Sequence, residues 1–111
     1  MRIGSGDGTI LCSSKLSVGD NIWPHITFTA QVSEVSIEVK VYIDGTLGNT
    51  CNSEGFVKFS GTAPLTIGVW EAFNHYGFFP GLIDDAALWC KALSESDILQ
   101  IYERQKTKSS I

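Results

Sequence analysis

The chain has 111 residues, 43% of them apolar and 18% charged, with 11 glycines and a net charge of −4 at pH 7. That size suits one domain with one core, residues 1–111, ordered over 6–104 and followed by a tail at 105–111. No run of Lys and Arg could neutralise a series of phosphates and no apolar stretch could cross a bilayer, so nucleic-acid binding and a membrane span are excluded as readings.

Residues 1–8 (MRIGSGDG) are Gly-rich and read as a loop. They lack the apolar core of a signal peptide, which on its own points to the cytoplasm. A short strand over 9–13 turns near Gly19 and Asp20, and a better one follows at 25–30, entered through Pro24. Its alternation sends Ile26, Phe28 and Ala30 to the core and His25, Thr27 and Thr29 the other way. The clearest period lies at 35–43, where Val35, Ile37, Val39, Val41 and Ile43 alternate with Ser36, Glu38, Lys40 and Tyr42. One buried and one exposed face follow.

Asp44-Gly45 tolerates positive φ and predicts a tight hairpin, with the chain doubling back through Thr46 and Leu47 into a polar loop, GNTCNSEG. Strands are expected at 56–60 and 64–70, an aromatic loop at 71–80 and a long strand at 82–91. One helix closes the chain. Ser94 is a good N-cap, Asp97 can complete a capping box, Leu93 can staple onto Ile98, and Ile98, Ile101 and Tyr102 form an apolar stripe ending near Arg104.

Cys12, Cys51 and Cys90 are an odd count, evenly spaced, with no shared flanking pattern and no C-x-x-C pair. These features argue against a disulfide framework and read as buried small hydrophobes or free thiols.

Three segments resemble the laminin-G-like (concanavalin A-like) jelly-roll family: WPHITFTA at 23–30 with VKVYIDGTL at 39–47, PLTIG at 64–68, and GLIDDAALWCKALSESDILQIYE at 81–103. The resemblance implies an all-β fold, an antiparallel β-sandwich with one short C-terminal helix. It also implies a jelly roll that is truncated, because the strands preceding SGDGTILCSS in a whole family domain are missing. A sandwich short of strands exposes a sheet edge and an apolar face, so self-association, as a homodimer or larger, or a place within a longer protein is expected. Family members are usually extracellular, which opposes the cytoplasmic reading of 1–8.

Aromatics crowd residues 70–79 (WEAFNHYGFF). Sugar rings stack on such side chains while Asn, His and Glu bind hydroxyls, so Trp70, Asn74, His75 and Tyr76 are the candidate ligand-binding rim. The plainer alternative is that these aromatics fill the core. Some members of the resembled family bind calcium, but Asp84 and Asp85 are adjacent on a strand and point apart, so no metal or other cofactor is assigned. Asp7 and Asp44 precede glycines and read as turn formers.

Catalysis finds little support. The nearest carboxylate pair, Glu34 and Glu38, lies on a solvent face, Ser13, Ser14 and Ser60 lack a nucleophile-elbow context, and His25 reads as a strand-packing residue. The sequence therefore predicts a non-catalytic recognition module for carbohydrate or a protein surface. A structural, self-assembling protein is the alternative, with a glycoside hydrolase fragment third.

Overall fold

The computed structural model describes residues 2–5, 8–19, 21–34, 36–54, 67–72 and 75–109. The expected strand at 56–60, the PLT of PLTIG, and Asp7, Asp20, Val35, Phe73 and Asn74 lie outside them.

At the centre is strand β4 (Ser36–Ile43), flanked by β3 (Ile26–Val32) and β5 (Thr46–Glu54) in an antiparallel sheet of order β3-β4-β5. The alternation in β4 does what its period requires. Ile37, Val39, Val41 and Ile43 are buried in one cluster with Cys12, and Ala30 and Cys51 pack against it from either side. The β4–β5 connection is the two-residue turn expected from Asp44-Gly45, with φ of 52° and 77°, a mirror-image turn that matches the twist of the strands. A register shift between Val41 and Tyr42 accompanies it.

Several expectations need correction. Thr46 and Leu47 double back as expected, but 48–54 continue the strand rather than forming a polar loop, because pairing with β4 satisfies the backbone whatever the side chains. Ile26, Phe28 and Ala30 do pair with Ile43, Val41 and Val39, yet Ile26 and Phe28 remain 48% and 44% exposed, because β3 is the outer strand. Thr29, expected to point outward, is buried on the opposite face.

The N-terminal residues are not a loop: β1 (Arg2–Ser5) and β2 (Gly8–Leu11) form an antiparallel hairpin. Nor is 71–80, since β6 (Val69–Ala72) and β7 (His75–Phe78) pair as a ribbon. The ribbon continues one step further, with the Phe79 N–H donating to the Gly68 carbonyl at 2.8 Å. Residues 82–91 do not form the long strand. Asp85 has φ of 54°, its N–H is taken locally by Asp84 Oδ1 at 2.8 Å, and the whole segment is exposed.

Helix α1 runs Glu95–Ser109, longer than the stop near Arg104. It begins as predicted. Ser94 Oγ accepts from the Asp97 N–H at 3.2 Å, and the Ser94 carbonyl accepts the first helical bond from Ile98 at 3.0 Å. Ile98 is fully buried. The helix sits against the β4–β5 turn. A Cβ at Gly45 would lie 2.9 Å from Leu99 Cδ1 and 3.3 Å from Tyr102 Cδ2, so positive φ and close approach both demand glycine there. The Tyr102 ring also lies 5.8 Å from that of His25, tilted by 53°.

The cysteine reading is overturned in its main point, because Cys12 and Cys51 form a disulfide with Cα atoms 5.7 Å apart. The bond joins positions separated by 39 residues, and only the fold brings them together. Cys90 is a free, exposed thiol.

Candidate functional site

Two surfaces bear on ligand binding. The first is the aromatic ribbon singled out by sequence. Its register pairs Trp70 with Gly77, Glu71 with Tyr76 and Ala72 with His75. Direct partners in an antiparallel pair share a face and neighbours along a strand alternate. Positions 70 and 75 therefore fall on one face of the ribbon, while 76 falls on the other beside 71. Trp70, His75 and Tyr76 do not make one continuous row, and Asn74 is outside the described residues.

The second surface was not anticipated. It is a groove of about 250 Å3 on the polar face of the β3–β4 pair, walled by residues 92–95 as they enter the helix. Its floor follows from the strand register. Thr29 lies opposite Lys40 and Gln31 opposite Glu38, so an amide, a hydroxyl, an ammonium and a carboxylate form two adjacent rows. Leu93, Ser94 and Glu95 contribute an apolar side chain, a hydroxyl and a second carboxylate from the wall.

Lys40 Nζ lies 3.6 Å from Glu38 Oε1, and both side chains stay partly open to solvent. Such a pair remains available to a ligand, because exposed ion pairs are weak. Tyr42 closes one end of the groove. Expected on the exposed face, it is buried, and desolvation raises its phenol pKa above the ordinary value; Lys40 opposes the shift while Glu95 and Glu38 add to it. Two carboxylates against one ammonium make the groove favour neutral, hydroxyl-bearing groups over anions.

The remaining candidates are accounted for locally. Asp84 and Asp85 are exposed and bonded to each other, and among the described residues no cluster of three or more His, Cys, Asp or Glu could hold a metal ion. Glu34 is exposed in the bend before β4, while Glu38 lies within β4. His25 is half-buried, with Nδ1 3.5 Å from Thr27 Oγ1 and its ring against Tyr102, consistent with packing. Asp44 is a turn residue whose carboxylate accepts from the His25 N–H at 2.9 Å. Among the described residues no helix is long and apolar enough to cross a membrane.

Residues 1–99 fit a laminin-G-type family model described as the concanavalin A-like lectin/glucanases superfamily. No curated protein and no solved structure matches the chain. The sequence segments at 23–30, 39–47 and 64–68 that carry the resemblance fall within that span, and the one at 81–103 lies within it up to residue 99.

Proposed function

Because the chain belongs to the concanavalin A-like lectin/glucanases superfamily, we propose that it is a non-catalytic recognition module that binds carbohydrate. Its antiparallel sheets are taken as parts of the superfamily's β-sandwich, with β3-β4-β5 as one layer. The observation that carries the binding reading is the groove beside residues 92–95, whose floor offers donors and acceptors in register. At about 250 Å3 it lies below the range of roughly 300–1,000 Å3 common for drug-sized ligands, which suits a single sugar ring better than a chain. Leu93 offers an apolar contact for the C–H face of such a ring, and Gln31, Thr29 and Lys40 offer partners for its hydroxyls. Trp70 and His75, on one face of the β6–β7 ribbon, are a separate candidate stacking surface in this proposal, with Tyr76 on the other face.

A glycan array followed by titration of the responding sugar tests the reading. Binding that Gln31→Ala or Lys40→Ala weakens tenfold or more supports the groove, and binding lost only in Trp70→Ala moves the site to the ribbon. Silence across the array sinks the carbohydrate reading. Release of reducing sugar, abolished by Glu38→Gln or Glu95→Gln, would replace it with a hydrolase.

One observation favours a second reading, that of a self-assembling protein or a binder of protein surfaces. Phe78, Leu82 and Leu88 are 72%, 78% and 76% exposed, more apolar surface in one segment than a lone domain usually leaves open. Phe79 is exposed as well. Light scattering decides it: a monomer stable to dilution removes self-assembly, whereas a dimer weakened by Phe78→Ser or Phe79→Ser supports it.

A further inference from the structure

The disulfide joins the N-terminal segment to the β3-β4-β5 sheet, which β2 also meets at β5. Residues 12–15 run along β5 as a strap. Among the described residues their polar contacts to that strand include the Lys15 N–H donating to the Gly48 carbonyl at 3.1 Å and the Asn49 Nδ2 donating to the Ser13 carbonyl at 2.8 Å. Gly48 lets the strap come this close, since a Cβ there would collide with the Ser14 side chain. Beyond Cys12 the strap has little apolar anchorage, because Leu16 and Val18 are exposed. Upstream, β1 and β2 hydrogen-bond with each other and, among the described residues, with no other strand, although β2 comes into contact with β5.

The β3-β4-β5 sheet is held differently. Two antiparallel ladders fix it, and the β4–β5 turn is buttressed by Leu99 and Tyr102 of the helix. Only one of the two sulfur-bearing residues belongs to that sheet. Cys51 lies opposite Val39 in the β4–β5 ladder, while Cys12 comes from the strap and is 2% exposed within the cluster of Ile37, Val39 and Val41.

We propose that the Cys12–Cys51 bond is a redox-sensitive clasp. Oxidised, it pins the strap against the apolar face of the sheet and tethers the β1–β2 hairpin that precedes it. Reduced, it releases them and uncovers Val39 and its neighbours, while β3-β4-β5 keeps its pairing.

The chemistry is thiol–disulfide exchange with a dithiol. A thiolate of the reductant attacks the Cys51 sulfur, the more accessible of the two. The S–S bond breaks, and Cys12 leaves as a thiolate that takes a proton. The reductant's second thiol then attacks its own sulfur in the mixed disulfide and frees Cys51. Two electrons and two protons pass from the dithiol, which ends as a disulfide; a disulfide oxidant reverses the sequence. The clasp is independent of any ligand in the groove, which lies on the opposite face of the sheet.

The test uses the full chain, purified under air, with dithiothreitol as the probe. Thiol titration in denaturant should find one free thiol per chain before reduction, that of Cys90, and three after it. Hydrogen exchange of the native chain should then lose protection at residues 8–16 upon reduction at least tenfold more than at residues 37–43, which lose only what the lower global stability takes. The double variant Cys12→Ser, Cys51→Ser should reproduce the reduced pattern without reductant. Three thiols before reduction overturn the proposal. So do unchanged protection after reduction and a loss at residues 37–43 as large as that at residues 8–16.

Discussion

His25 and Asp44 hold each other twice: the His25 N–H donates to Asp44 Oδ1 at 2.9 Å, and the Asp44 N–H donates back to the His25 carbonyl at 2.8 Å. The pair ties the entry of β3 to the turn that ends β4, while the same aspartate holds a left-handed φ of 52°. Asp44→Ala removes the acceptor and the tolerance for that φ, and should cost about 1–3 kcal/mol. Asp44→Asn keeps both an acceptor oxygen and the conformation, and should cost under about 1 kcal/mol. Urea denaturation of both variants measures the difference.

Loss of the disulfide has a size that follows from chain length. A loop closed across 39 residues reduces the entropy of the unfolded chain by an amount worth about 4 kcal/mol at 25 °C. The variant Cys12→Ser, Cys51→Ser should lower the unfolding free energy by roughly that much, with Cys90→Ser close to neutral because that thiol is exposed. Denaturant midpoints at fixed slope test both.

The helix should depend on its cap and on one buried side chain. Ser94→Ala leaves the Asp97 N–H without its partner and should cost about 1 kcal/mol. Ile98→Ala empties a fully buried position and should cost about 2–5 kcal/mol. Thermal melts followed by circular dichroism should rank Ile98→Ala well below Ser94→Ala. The reverse order would mean that the helix docks through another residue.

Tyr42 predicts an alkaline limit. Desolvation raises its pKa in the folded chain above the ordinary 10.0, so the folded state holds the phenol proton more tightly than the unfolded state does. Its contribution is fully present below pH 10.0 and is lost as pH rises from there through the folded value. Tyr42→Phe should flatten that decline. Urea midpoints at stepped pH, with phenolate absorbance as the second signal, make the comparison.

The parts legible in sequence are those where the deciding signal is local. Alternation from Ile37 to Ile43 located the buried face, Asp44-Gly45 located the turn, and Ser94 located the start of the helix. The parts missed depend on partners distant in the chain. Thr46 to Glu54 carries no apolar alternation, and only pairing with β4 makes it a strand. Cys12 and Cys51 carry no local mark of their bond. Tyr42 and Thr29 stand on a face that is polar by pattern, and they are buried on the side where residues 92–95 pass. The groove was hidden for the same reason: Glu38 and Lys40 were visible as a solvent face, but Gln31 and Thr29 join them only through register. In the opposite sense, the apolar run at 82–91 reads as a strand, and the left-handed Asp85 breaks it.

The two-residue turn at Asp44-Gly45 also sets an order of events during folding. A hairpin with so short a connection closes in about 1–10 μs, whereas disulfide formation takes seconds or longer. When Cys12 finds Cys51, the β4–β5 ladder is already in register. Oxidation therefore captures a finished sheet and has no part in choosing which strands meet.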